Sequence, residues 1–304
     1  MEPHLDLKEV CKRFERVVAV DMLSFAVPRG AIYGLLGPNG AGKTTTIRMI
    51  MRITLPDAGA ILLNGVPMDD DARERIGYLP EERGLYRKMK VAEHLAFLAE
   101  VRGLARPEAR SRSKAWLERL GLAEKANAKV EELSKGMQQK LQFAGAVIHD
   151  PEMVIFDEPF TGLDPIATRQ FKDEIVAMSA RGTTVVFSTH VLPQAEELCD
   201  HLCLINRGRP ILQGSLAEVR ARYATRALKL TSPASDAEIS AAPGVAAVRT
   251  KNDTRIAELA PDAVASSVIR ELAARVPIEA IEPFADSLED IFLKAVEADH
   301  VALA

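Results

Sequence analysis

The decapeptide "GPNGAGKTTT" at residues 37–46 restricts what this chain can fold into more than any other stretch. It follows "AIYGLLG" (31–37), a continuous apolar run that reads as a buried strand. It opens "KTTTIRMIMRI" (43–53), which reads as a helix stopped by "LPDAG". Further apolar runs, "AILLNG" (60–65), "MVIFDEP" (153–159) and "TTVVFST" (183–189), read as strands, with a helix between the last two reaching about residue 180. Apolar strands alternating with helices predict an α/β core built on a mostly parallel sheet covered on both faces. Residues 5–27 read as two short strands joined by a turn, and 84–150 as an entirely helical insertion beside the sheet.

Within the decapeptide, "GPNGAGKT" (37–44) matches G-x-x-x-x-G-K-[ST] in its confirming context, after a strand and before a helix. Gly37, Gly40 and Gly42 let the backbone wind closely around phosphate with its N–H groups pointing inward. The helix N-terminus adds positive potential. Lys43 places a point charge on the β- and γ-phosphates, and the Thr44 hydroxyl can ligate Mg²⁺. A plain glycine-rich turn before a helix is the competing reading, but it leaves the Lys-Thr pair without a purpose. Asp157 ends an apolar strand, where an unpaired buried carboxylate is costly. Near a phosphate loop it can hold Mg²⁺ through water. Glu158 comes next and points elsewhere, which suits a general base or water-positioner. The bland alternative is two carboxylates at a strand end before a proline-stopped loop. "FSTH" (187–190) repeats the pattern: His190 at a strand end can donate to a γ-phosphate or orient a water, although such a histidine alone is more often structural.

"LSKGMQQK" (133–140) is a helix start of an unusual kind. Ser134 can cap it, Gly136 sits in its first turn at a cost to helix stability, and the next positions are amide and ammonium rather than apolar. Taken together, the motifs resemble the nucleotide-binding subunit of ABC (ATP-binding cassette) transporters over about residues 4–220. In that family an "LSGGQ" signature precedes the second carboxylate motif by about 20 residues, and "LSKGM" stands at that distance from Asp157.

The resemblance implies a P-loop NTPase (ABC ATPase) core over 1–222, with an antiparallel β subdomain and a helical subdomain at about 84–150. It implies ATP and Mg²⁺ as ligands, bound by Gly37, Pro38, Asn39, Gly40, Ala41, Gly42, Lys43, Thr44 and Thr45 with Asp157. It implies that Ser134 and Gly136 contact the γ-phosphate of ATP held by a second copy. Asp164 of "TGLD" (161–164) would reach across the same dimer, and His190 matches the family's switch histidine. Phe14 stands where an aromatic stacks on adenine; from the residues alone it reads equally as core. "IGYLPEERGLY" (76–86) puts Glu81 where the family has a glutamine metal ligand, so that a carboxylate adds charge beside the triphosphate. Lys135 and Met137 are further departures, at the second glycine and the glutamine of the signature. The "GYLPEERGLY" and "LSKGMQQKLQFAG" stretches resemble a subgroup paired with export-type (ABC-2-like) permeases. A permease partner would place the chain on the cytoplasmic face of the cell membrane. A non-transport ABC ATPase acting on ribosomes or DNA is the alternative.

Composition narrows the partners. Hydrophobic residues make up 47% and charged residues 27%, with a net charge of −4. No block is strongly basic, which argues against nucleic acid as a main partner. No run of about 18 apolar residues exists, and "MEPHLDLKEV" has no secretory pattern. Cys11, Cys199 and Cys203 are an odd, sparse set that suits a reducing compartment. Cys199 and Cys203 read as packing residues four apart at a helix end, with His201 the one further metal-ligand candidate. Residues 226–304 hold 8 Lys+Arg against 13 Asp+Glu. Their order, βαββαβ plus a helix, predicts a small ferredoxin-like α+β domain at 223–304.

Overall fold

The computed structural model describes residues 2–82, 84–251 and 254–302. The chain divides into two compact units, Met1–Ala217 and Glu218–Ala304.

The first unit opens with β1 (Leu5–Phe14), β2 (Val17–Val27), β3 (Ile32–Leu36) and α1 (Lys43–Ile50). β4 (Ala58–Leu63), β5 (Val66–Pro67), α2 (Asp70–Glu74) and β6 (Ile76–Leu79) follow. Next come α3 (Val91–Val101), α4 (Arg106–Arg119), α5 (Lys135–Val147), β7 (Met153–Asp157) and α6 (Pro165–Ala180). The unit is completed by β8 (Thr184–Thr189), α7 (Leu192–Leu198), β9 (His201–Asn206) and β10 (Arg209–Ser215), and α8 (Leu216–Tyr223) spans the division.

The main sheet has the order β10-β9-β3-β8-β7-β6. β6, β7, β8, β3 and β9 run parallel, and β10 turns back against β9. Every residue of β3, β7 and β8 is buried, as expected for central parallel strands covered on both faces. A second sheet, β2-β1-β4-β5, is antiparallel. Leu5, Leu23 and Leu63 from it share one core with Leu35 of β3 and Ile47 of α1. Phe143 of α5 stacks on Phe156 of β7 and Phe171 of α6, at 5.1 and 4.4 Å between ring centroids. That aromatic packing fixes α5 against the strand that ends in Asp157.

Three expectations need correction. α1 stops at Ile50, not 53, because Arg52 adopts a left-handed φ of 52°. Ile53 N–H then bonds Arg48 O at 2.9 Å and Arg52 N–H bonds Met49 O at 3.1 Å, a closed C-terminal motif with arginine in glycine's usual place. The 84–150 segment is not entirely helical. Before α3 starts, Lys90 pairs with Lys129 in an isolated antiparallel bridge, flanked by Val91 N–H on Ala128 O and Val130 N–H on Met89 O, both at 3.0 Å. Cys203 lies in β9 rather than on a helix end; it and Cys199 are buried.

The second unit contains β11 (Ala227–Thr231), α9 (Asp236–Ser240), β12 (Val245–Lys251), β13 (Thr254–Leu259), α10 (Ala265–Arg275), β14 (Ala280–Pro283) and α11 (Leu288–Ala302). Its sheet order is β12-β13-β11-β14, all antiparallel, which is the ferredoxin-like arrangement. Leu228, Leu230, Ile239, Ala257, Val268 and Leu272 form its core. Asp286 is buried there and takes hydrogen bonds from Lys294 Nζ at 2.8 Å and Thr225 N–H at 2.7 Å.

Candidate functional site

The loop between β3 and α1 is held by its backbone. Gly37 has φ 149°, and a Cβ there would lie 2.2 Å from the Ile205 carbonyl oxygen of β9. Gly40 has φ 78°, and a Cβ on it would meet nothing within 4 Å. One glycine is therefore demanded by the fold, while the other lines open space at the loop's crest. Ala41 N–H bonds Pro38 O at 3.1 Å, Asn39 is exposed, Gly42 caps α1, and Thr45 is half-buried in its first turn.

Lys43 is buried and turns back onto this loop. Its ammonium donates to Gly37 O at 2.8 Å and Pro38 O at 3.2 Å, and lies 3.5 Å from Glu158 Oε1. Glu158 also sits 3.0 Å from His190 Nδ1. A charged lysine, a buried carboxylate and a half-exposed imidazole thus converge from the starts of α1 and the ends of β7 and β8.

Asp157 is fully buried at the tip of β7. Its Oδ1 accepts from Ser188 Oγ at 2.5 Å and Thr44 Oγ1 at 3.3 Å, while Oδ2 is buried without a partner. Burial pushes the Asp157 carboxyl above the usual carboxylate range, against the pull of the hydrogen bonds from Ser188 and Thr44. An unpartnered carboxylate oxygen beside a threonine hydroxyl is a hard oxygen donor set, which fits Mg²⁺. Tyr78 of β6 stands nearby; burial, then the charge of Asp157, pushes its hydroxyl up to about 12.

The remaining expected site residues stand on other loops and element ends. Ser134 is exposed and caps α5, accepting from Met137 N–H at 3.3 Å; a Cβ on Gly136 would find only Leu163 Cδ2, at 4.0 Å. Asp164 is exposed and caps α6, accepting from Ala167 N–H at 2.8 Å. Phe14 is exposed at the end of β1, with Lys12 Nζ 5.4 Å from its ring centroid. Glu81 is exposed in the loop after β6. α5 is nevertheless stitched to both flanking loops. Gln139 donates to Pro159 O at 3.2 Å, and Gln142 to Pro80 O at 3.3 Å and Glu82 O at 3.2 Å. These two glutamines and Ser188 were not legible as site residues, because their partners are distant in sequence.

Comparison with known proteins agrees with this geometry. Residues 20–161 match the ABC transporter family model, and residues 214–296 match that of the "ATP-binding protein DrrA1-3-like, C-terminal domain". "Uncharacterized ABC transporter ATP-binding protein YhaQ" of Bacillus subtilis (strain 168) is 38% identical over 294 residues, covering 97% of this chain and 99% of that protein. "Nod factor export ATP-binding protein I" of Burkholderia lata is 43% identical over 214 residues, 69% of this chain and 70% of its own. A solved ATP binding subunit of an ABC transporter superposes with a TM-score of 0.67 at 33% identity, covering 72% of this chain and 92% of that one. The cbiO1 structure from Clostridium perfringens, part of the ABC transporter complex cbiONQ, gives 0.64 at 28% identity, covering 73% and 92%. A phosphate loop, paired carboxylates and a histidine in this arrangement, with these relatives, place the chain in the family of ABC transporter ATP-binding proteins, whose business is ATP binding and hydrolysis.

Proposed function

We propose that two copies of this chain bind two ATP head to tail and hydrolyse them to drive export through a membrane permease. The supporting observation is a division of labour. Lys43, Thr44, Asp157, Glu158 and His190 converge in one place, while the donor-rich start of α5, with Ser134 and Lys135 exposed and Gly136 half-buried, serves none of them. A helix N-terminus with an open glycine offers amides and positive potential to an anion. A second protomer's γ-phosphate is such an anion.

In the closed pair, Lys43 leaves the loop carbonyls for the β- and γ-phosphates, and its release frees Glu158. Glu158 accepts a proton from the attacking water, and His190, 3.0 Å away, holds that carboxylate in place. Thr44 and Asp157 would hold Mg²⁺, which supplies neutralisation of phosphate charge. Phe14 offers a ring face to adenine, and Asp164 faces the partner. Loss of the γ-phosphate removes the bridge and the dimer opens. Motion passes to the permease through the 81–86 loop, which Gln142 ties to α5. Export is favoured by the relatives named for it. No described helix is long and apolar enough to cross a membrane. In this reading a permease takes the chain at its cytoplasmic face.

The test is Glu158→Gln. Turnover is expected to fall by ~10²–10⁴-fold with ATP still bound, and size-exclusion chromatography in ATP should show a dimer. Turnover near wild type would remove Glu158 as the base; a monomer at saturating ATP would remove the head-to-tail pair.

A further inference from the structure

Ser188 sits one residue before the end of β8, fully buried, directly across from Asp157 in the parallel β7–β8 register. A serine hydroxyl has one proton to give and two lone pairs to offer. Here both capacities are used, on the last residue of β7 and on the residue that follows it. Its proton goes to Asp157 Oδ1 at 2.5 Å, and its oxygen accepts the backbone N–H of Glu158 at 3.0 Å. Glu158 has a left-handed φ of 50°, which non-glycine residues rarely adopt. That turn breaks the strand's alternation and brings the Glu158 carboxylate to Lys43 and His190. Without Ser188, the buried Glu158 N–H would lose its acceptor and the turn would lose its anchor.

We propose that Ser188 is the positioning residue that sets the two carboxylates relative to each other: it occupies Asp157 Oδ1, so that Oδ2 is presented to the metal, and it pins the turn that aims Glu158. The inference rests on the ATPase reading above, and it names a residue that acts through its neighbours and touches no substrate.

Ser188→Ala in the full chain is the test, with Mn²⁺ as the probe. Outer-shell partners of metal ligands are worth ~10–100-fold in affinity or activity. Turnover of ATP should fall by ~10–100-fold and Mn²⁺ affinity, read by electron paramagnetic resonance with a non-hydrolysable ATP analogue, by ~10-fold. KM for ATP should stay within ~3-fold, since the phosphate loop is untouched. If Ser188→Ala does not fold, Ser188→Cys, which keeps the shape and weakens the donor, is read the same way. Wild-type turnover and Mn²⁺ affinity in the variant overturn the proposal, as does an equal fall in ATP and Mn²⁺ affinity, which would mark a general loosening. An inactive wild-type chain would instead overturn the ATPase reading.

Discussion

Gly37 and Gly40 lie three residues apart in the same loop, and the structure assigns them different duties that alanine substitution can separate. At Gly37 an added methyl meets a backbone carbonyl, Ile205 O, at 2.2 Å, in a conformation with φ 149°. The oxygen belongs to β9 and cannot swing aside. Backbone strain of about 1–3 kcal/mol and overpacking of about 1–3 kcal/mol together give about 2–6 kcal/mol. At about 2–4 °C per kcal/mol for a unit of this size, melting should fall by roughly 5–20 °C. At Gly40 only the left-handed φ of 78° is at stake, because no atom lies within 4 Å of the new methyl. The expected loss is about 1–2 kcal/mol, a few degrees. The order reverses for ligand. ATP at 100 times its Kd stabilises the wild type by about 2.7 kcal/mol, or roughly 5–10 °C. In the proposed phosphate cradle the Gly40→Ala methyl would crowd the phosphate oxygens, so its ATP-dependent rise should shrink below half. Scanning fluorimetry with and without Mg-ATP measures both effects. A full ATP shift in Gly40→Ala would refute the phosphate cradle. Gly37→Ala melting no lower than Gly40→Ala would refute the Ile205 contact as a constraint on the fold.

Acid sensitivity and the second unit give further expectations. Burial lowers His4, His94 and His149 from 6.5 to about 4, so the unfolded chain takes up their protons first as pH falls. Stability is present above pH 6.5 and is lost on the way down to 4. Neither ring nitrogen of His94 has a partner, so His94→Phe should remove roughly 1–2 kcal/mol of the pH 7 to pH 5 loss in urea denaturation; an unchanged pH dependence would count against it. Burial alone would raise Asp286, but the hydrogen bonds from Lys294 and Thr225 hold it below the usual carboxylate range. Lys294→Met breaks that pair, whose lysine is partly exposed, and should cost about 1–3 kcal/mol in equilibrium unfolding of the second unit. A change under about 0.5 kcal/mol would show the pair to be incidental.

What the sequence disclosed, it disclosed through local rules. The second unit was readable element by element because its strands and helices are short, patterned and separated by turns. Lys43, Thr44, Asp157, Glu158 and His190 were readable because each stands at a strand end or helix start inside a recognisable run. The overrun of α1 came from Arg52, whose left-handed conformation no residue preference announces. β9 and β10 form a hairpin around Asn206–Arg209 that the alternation of the central strands overshadowed. Ser188 stands within "FSTH", but its importance arises from a register with Asp157, 31 residues away. Propensity and motif spacing do not encode such cross-strand pairings.

The stitches from α5 also determine where this protein tolerates change. Gln139 and Gln142 grip Pro159, Pro80 and Glu82 by their carbonyl oxygens, atoms every amino acid possesses. Side chains at those three loop positions can drift between lineages without severing the mechanical link, whereas the two glutamines must keep their reach and their donors. The surface of these loops can therefore be rewritten while the bonds beneath it stay the same.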